Sequence, residues 1–327
     1  MKFLEYNAWM FHQHRIIKAI CLLLLLFITE ETLRTYVWYD HDFVRPSPRT
    51  PGLSVNFTGF DNVSGVNYYL VPNVIHIIRF NKKTFDFVDV VCLRAAYRAQ
   101  KPDKFVIHTN EKEFEGKYWL KLQTWPDLFR RIEIKYRAPP TKIFGQSLSK
   151  DWQLHHGSDI ERVRILIEYG GIWMDNDVYI VQNLDRYRKF EMVLNWDENQ
   201  FLATQLYLAH KDARFLPLYL ETYRQYRSNL WYYNAGERPT QEILYKHPEL
   251  IHRVKNLFGA DTSLSYNLYN KKNWTEWRNQ HAIHLLFNHR SYMHKENYQK
   301  YPVLDEKTIL DYKQTFGEMA REAYFSE

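Results

Sequence analysis

The chain has 327 residues, of which 45% are apolar, 17% aromatic and 25% charged, with a formal net charge of +6. That aromatic content excludes a disordered chain, and the lack of a long basic block excludes a nucleic-acid-binding arm, so no nucleic-acid partner is expected. Of the two cysteines, Cys21 lies in an N-terminal apolar run, which leaves Cys92 alone in the folded part and excludes an internal disulfide there. Cys92 either bridges a dimer or, the preferred reading, sits buried and inert.

The run Ile16–Ile28 contains five consecutive leucines. Lys2, Arg15 and Lys18 stand on its early side and Glu30 and Glu31 follow it. This polarity places the N-terminus in the cytosol and the rest of the chain across the membrane. The run is short for a full span, but Lys18 can snorkel towards the head groups. Thr29-Glu30-Glu31-Thr32-Leu33 offers no small-x-small cleavage site, which favours an uncleaved signal anchor over a cleaved signal peptide. The expected organisation is a cytosolic tail over 1–15, an anchor over 16–29, a stem over 30–71 and a catalytic domain over 72–327. Three glycosylation sequons, at Asn56, Asn62 and Asn273, agree with a lumenal domain. Two of them fall in the stem, where Pro46, Pro48, Pro51, Gly52, Gly59 and Gly65 read as a spacer.

From Pro72 onward, strand and helix alternate. Val74–Ile78 is a short apolar run and reads as a buried strand. Phe87–Ala99 has helical apolar spacing, Lys104–His108 is a second strand, and Lys117–Gln123 is a short helix. Ile132–Tyr136 alternates as a strand and Pro139-Pro140 stops it. A long helix ends at Gly170-Gly171, and Ile172–Asp175 is the next strand. The alternation predicts an α/β domain with a largely parallel sheet, in which ligands bind at the carboxyl ends of strands.

Asp175-Asn176-Asp177 stands at one such end. On an extended backbone the two carboxylates point the same way and repel unless a cation lies between them. A hard divalent ion, Mn²⁺ or Mg²⁺, takes such oxygen ligands and shares them with substrate phosphates, as a nucleotide-diphosphate leaving group requires. Upstream, Ser158-x-x-Glu161 reads as a capping box that starts the long helix. Asp159 then falls in its first turn, with Arg162 on the same face. That spacing fits a surface salt bridge and a pocket-facing pair equally.

The stretch Ser158-Asp159, Arg162, Tyr169-Gly170-Gly171, Trp173, Asp175 and Asp177 resembles the hallmark of glycosyltransferase family 32, the DXD-type sugar transferases. Val71–Phe80 is similar to that family's first strand, and Ala282-Ile283-His284 through Ser291-Tyr292 to its closing His block. The resemblance implies a GT-A fold, the Rossmann-like nucleotide-sugar transferase domain, and a metal-dependent, anomer-retaining transfer in the Golgi lumen. Its donor would be a nucleotide-sugar, UDP-hexose before GDP-mannose, and its acceptor a glycan or glycolipid. Carried over, Asp175 and Asp177 are catalytic and hold the metal with His284. His76, Asp159, Arg162, Gly171 and Asp175 bind the donor. Glu237 is the first candidate for a carboxylate near the anomeric carbon, with Asp197 and Glu198 beside it. Two other classes stay open: a catalytically inactive carbohydrate-binding or scaffold protein on the same fold, and a Mg²⁺-dependent phosphohydrolase. The latter expects its Asp-x-Asp soon after the first strand and followed by Gly-Thr, where this chain has Val178-Tyr179 late in the sheet. The Leu230–Tyr233 and Trp274–Trp277 stretches offer rings for acceptor sugars, with core packing the expected role for most of them.

Overall fold

A computed structural model describes residues 54–326, and Val55–Glu327 form one compact unit. The expected tail, the anchor over 16–29 and most of the stem lie outside the described residues. Among the described residues no helix is long and apolar enough to cross a membrane.

The compact unit begins well before Pro72, which corrects the end of the expected spacer. Phe57 and Val71 are buried, and so is Asn62. The Asn62 amide donates to Glu191 Oε2 (3.1 Å) and to the Glu249 carbonyl (2.9 Å), while its oxygen accepts from the Glu191 backbone N–H (3.1 Å). Glu191, fully buried, is neutralised by Arg214 at 2.8 Å. The segment is held by isolated anchors without a period, which is why its Pro and Gly content reads as spacer. The Asn62 nitrogen that a glycan would need is spent inside the fold, whereas Asn56 and Asn273 are exposed.

The main sheet of the described residues has seven strands. They are β1 (Val74–Arg79), β2 (Lys104–Thr109), β3 (Ile132–Tyr136), β6 (Gly171–Met174), β8 (Met192–Asn195), β9 (Leu206–Ala209) and β10 (His252–Val254). Their order across the sheet is β10-β8-β9-β6-β1-β2-β3. Two further strands, β4 (Lys142–Ile143) and β5 (Gln146–Ser147), make a small hairpin. Neighbours in the main sheet pair in parallel except around β9, which runs against both β6 and β8. A second sheet holds β7 (Val178–Ile180), β11 (Phe258–Gly259) and β12 (Ala282–His284), with β12 antiparallel to β7. The predicted mixed α/β architecture with a largely parallel sheet is thus what the chain forms.

Strand alternation distributes the sheet's side chains into two cores. Ile75, Ile77, Ile172, Met174, Leu206 and Leu208 pack under the helices Phe87–Gln100 and Thr315–Phe325. Trp173, Met192, Leu194 and Tyr207 pack on the other face, under the helices Gln153–Tyr169 and Phe215–Thr222. Cys92 is fully buried in the first core, where burial pushes its thiol well up, as expected for an inert residue. The helix Phe87–Gln100 starts on a reciprocal cap: the Asp89 N–H donates to Asp86 Oδ1 (2.9 Å) and the Asp86 N–H to Asp89 Oδ2 (2.7 Å).

The long helix spans Gln153–Tyr169, so it starts earlier than the Ser158 capping box predicted. Ser158 is already helical, and its hydroxyl donates back to the Leu154 carbonyl (2.8 Å), a bond that only a residue inside a helix makes. Glu161 instead accepts from Arg137 (2.9 Å) and Arg164 (2.7 Å). The helix stops at Gly170, whose φ of +65° suits glycine.

Two expected donor-binding residues belong to the frame instead. Gly171 has φ +108°, and a Cβ there would lie 2.7 Å from the Val74 carbonyl and 3.0 Å from His76 Nε2. Its side-chain space is occupied by the first strand, with none left for a ligand. His76 is 1% exposed, bonded through Nε2 to the Gly170 carbonyl (3.0 Å) and through Nδ1 to His108 Nε2 (3.0 Å). This imidazole pair ties β1, β2 and the Gly-Gly turn together. Burial holds both rings neutral, with His76 lowered to about 4. An unfolded histidine titrates near 6.5, so the folded state gives up stability as pH falls from about 6.5 towards 4. Urea unfolding is expected to show a loss of about 2 kcal/mol from His76 alone between pH 7 and pH 5. A stability unchanged over that interval would mean the pair is not buried as described.

Candidate active site

The site is built at the carboxyl end of β6. All four residues of that strand are buried, and Asp175 leaves it at the first position where the sheet opens. The Asp175 N–H donates to the Gln205 carbonyl (2.9 Å) and the Val178 N–H to the Asp175 carbonyl (3.0 Å). Asp175–Val178 is therefore a turn between β6 and β7, not the extended segment expected from the spacing. Chain reversal, rather than strand alternation, brings the two carboxylates to one mouth. Their side chains are 24% and 22% exposed, so both remain open to a ligand.

Asp175 is fixed from one side. Trp173 Nε1–H donates to its Oδ1 (2.8 Å), and Arg162 Nη2 lies 3.5 Å from the same oxygen. Arg162 also pairs with Asp159 at 2.8 Å and donates to the Thr204 carbonyl. Its side chain is only 6% exposed, so Asp159–Arg162 is a largely buried pair and not a surface salt bridge. The row Asp159–Arg162–Asp175 places one cation between two carboxylates. Burial raises Asp159 to about 6, with Arg162 opposing and Asp175 adding to the rise. Burial likewise raises Asp175, opposed by Arg162 and His284.

Asp177 is held from the other side. Pairing of β12 with β7 sets His284 opposite Val178, and His284 Nε2 reaches Asp177 Oδ1 at 3.1 Å. The Leu285 N–H donates to the Asp177 carbonyl (2.9 Å) and the Phe287 N–H to Oδ2 (3.2 Å). Burial pushes the Asp177 carboxyl up, but His284 and the Phe287 N–H outweigh it and hold it below its ordinary value. His284 is raised, because the two aspartates outweigh the cost of burial. Asn176, between the acids, faces inward: its amide donates to the Ile78 carbonyl (2.9 Å), and Arg79 donates to its oxygen (3.4 Å). Arg79 is itself locked by Asp89 at 2.8 Å and by the Phe85 ring.

Among the described residues no three His, Cys, Asp or Glu side chains are grouped so that they could hold a metal ion together. Asp175 is drawn to Trp173 and Arg162, while Asp177 faces His284. Asp177 and His284 still offer a carboxylate and an imidazole side by side, donor types that a hard or borderline divalent ion takes. Such a set leaves coordination positions for phosphate oxygens and water.

The structure thus brings together Asp159, Arg162, Asp175, Asp177 and His284. It gives Glu237 a different setting, on a short helical turn where Gln241 is its hydrogen-bond partner at 3.3 Å and no bond or ion pair reaches the acids. Asp197 is engaged by Asn195 (3.1 Å) and the Asn256 N–H (2.7 Å), and Glu198 is exposed with Arg253 and Lys255. Both therefore support a loop. The supports Trp173 and Arg79 were not singled out from the sequence for these roles. Their signal was an indole two residues before an acid on one strand, and an arginine ending a buried strand.

No curated protein matches the sequence. Among solved structures, the PaToxG glycosyltransferase overlaps with a TM-score of 0.37 at 15% identity, over 78% of this chain and 85% of that one. An active-site mutant of LgtC gives a TM-score of 0.42 at 12% identity, over 72% and 98% of the two chains. The apo form of mouse xyloside xylosyltransferase 1 gives 0.41 at 11% identity, over 64% and 96%. Overlaps this slight carry no weight for activity. In sequence, residues 88–194 match the family described as a glycosyltransferase sugar-binding region containing the DXD motif, and that span includes Asp159, Arg162, Asp175 and Asp177.

Proposed function

We propose that this chain is a metal-dependent, anomer-retaining glycosyltransferase of the family 32 type. In this reading it moves a hexose or N-acetylhexosamine from a nucleotide-sugar, UDP-linked before GDP-linked, to a glycan or glycolipid in the Golgi lumen. The observation that carries the reading is the row Asp159–Arg162–Asp175 joined to Asp177–His284 at the end of a central strand, within the region that matches the DXD family. Membrane attachment as a single-pass type II protein rests on the apolar run at 16–29.

A divalent ion held by Asp177, with His284 and Asp175 contributing directly or through water, would supply positive charge to the departing diphosphate. Asp159, kept in place by Arg162, accepts hydrogen bonds from donor-sugar hydroxyls. Arg162 balances the buried carboxylates so that the sugar enters a cleft without excess negative charge. Trp173 and the Phe287 N–H fix the two aspartates before the donor arrives, so little reorganisation accompanies the reaction. The acceptor oxygen forms its bond to the anomeric carbon on the face from which the diphosphate leaves, and the leaving phosphate takes the hydroxyl proton. No side-chain nucleophile is then required, consistent with the engaged settings of Asp197 and Glu198.

A hydrolysis screen over UDP-galactose, UDP-glucose, UDP-N-acetylglucosamine and GDP-mannose with MnCl₂ tests the assignment. Metal-dependent release of nucleotide from at least one donor is expected. No turnover of any of the four would favour the inactive carbohydrate-binding protein.

A further inference from the structure

Trp231 is the one tryptophan among the described residues that is exposed, at 45% of its surface. Its neighbours hold it rigidly. Its ring meets His155 edge-on at 4.9 Å and Trp152 at 5.5 Å. Its carbonyl accepts from His156 Nε2 (3.2 Å), and the Tyr226 hydroxyl donates to His156 Nδ1 (2.5 Å). Tyr226 in turn accepts the Ser149 N–H (2.9 Å). His156 is 1% exposed and neutral through burial, so this chain of bonds is spent on fixing the backbone beneath the indole. An exposed indole set on so rigid a base forgoes burial worth several times the thermal energy, a cost that a ligand offsets.

Its position says which ligand. Trp152, at the cap of the helix Gln153–Tyr169, is followed along that helix by His155 and Asp159, which lie on one face. Residues four apart on a helix are about 5–6 Å apart at Cβ, so His155 stands one turn from Asp159. Trp231, packed against His155, therefore lies about one helical turn from Asp159, the donor-sugar carboxylate of this reading. Of the neighbouring rings in the same aromatic stretches, Trp277 is buried, and Tyr232 is exposed at 37% with its hydroxyl bonded to the Leu202 carbonyl. The wall presents an aromatic face, and the exposed charges next to Trp152, Lys150 and Asp151, are of opposite sign. That chemistry suits a neutral pyranose, whose C–H face carries partial positive charge and packs on a π-system.

We propose that Trp231, braced by Trp152 and His155, is the platform on which a neutral pyranose ring of the acceptor stacks beside Asp159. This rests on the glycosyltransferase reading and adds where the acceptor lies and what it is made of.

Saturation-transfer NMR tests it, with lactose, N-acetylglucosamine and methyl α-mannopyranoside as probes in the presence of UDP and MgCl₂. Native protein should transfer saturation to the ring C–H protons of at least one probe. Trp231→Ala should weaken that sugar about tenfold, and Trp231→Phe should keep most of its affinity. Titration of UDP into each variant reports the donor side separately. Sugar binding unchanged in Trp231→Ala overturns the platform, as does the absence of any sugar signal from native protein that binds UDP. A loss of UDP binding in Trp231→Ala equal to its loss of sugar would mean the whole cleft has collapsed, and also overturns it. Native protein that binds no UDP would sink the donor reading itself, and the platform with it.

Discussion

Asp177→Asn is expected to lower metal-dependent donor turnover by about 10²- to 10³-fold while leaving the protein folded. The carboxylate is the anionic centre of the mouth, touching His284 at 3.1 Å and open to solvent over about a fifth of its surface. The substitution removes the charge but keeps an oxygen that can accept the Phe287 N–H, now 3.2 Å from Oδ2. Weakening the two charged contacts, to the Phe287 N–H and to His284, changes stability by about 1–3 kcal/mol, too little to unfold a domain of this size. Turnover and urea unfolding measured on the same preparation separate the two effects. Turnover that survives the substitution would remove Asp177 from the metal's ligands.

The second large effect falls on stability. Arg162→Met should cost about 3–5 kcal/mol and abolish turnover, because it leaves Asp159 and Asp175 buried without their shared cation. The geometry makes the loss specific. Arg162 is 2.8 Å from Asp159 and 3.5 Å from Asp175, and burial already raises both acids even with the arginine in place. Adding Asp159→Asn to Arg162→Met should recover part of the lost stability, since one of the two unpaired carboxylates is then gone. Turnover should not return. A single substitution that costs less than about 1 kcal/mol would place the row at the surface, where ion pairs are worth little.

Much of the frame was legible because its first half is written in apolar runs. The predicted strands at Val74, Lys104 and Ile132 and the helix at Lys117 match the observed elements within a residue. Beyond Asp185 the signal fades for a physical reason. The strands β8 and β9 have four residues each, buried on both faces, so they show neither alternation nor helical spacing. The Asp pair was legible as chemistry but not as geometry, since a turn rather than a strand presents it. His284 was reached by resemblance alone, because the β12–β7 pairing that delivers it to Asp177 joins segments distant in the chain. His76 and Gly171 misled for the opposite reason. A polar ring beside a Gly-Gly turn looks like a ligand site, yet here it fills the space that the missing Cβ leaves.

Activity in this reading depends on two aspartates presenting a divalent ion to a nucleotide diphosphate. Isothermal titration of UDP and of GDP into the native protein, with and without MnCl₂, tests this most directly. Binding of one nucleotide that requires Mn²⁺ and disappears in Asp177→Asn is the expected result. Nucleotide binding that is indifferent to the metal, or that persists in the variant, would contradict it.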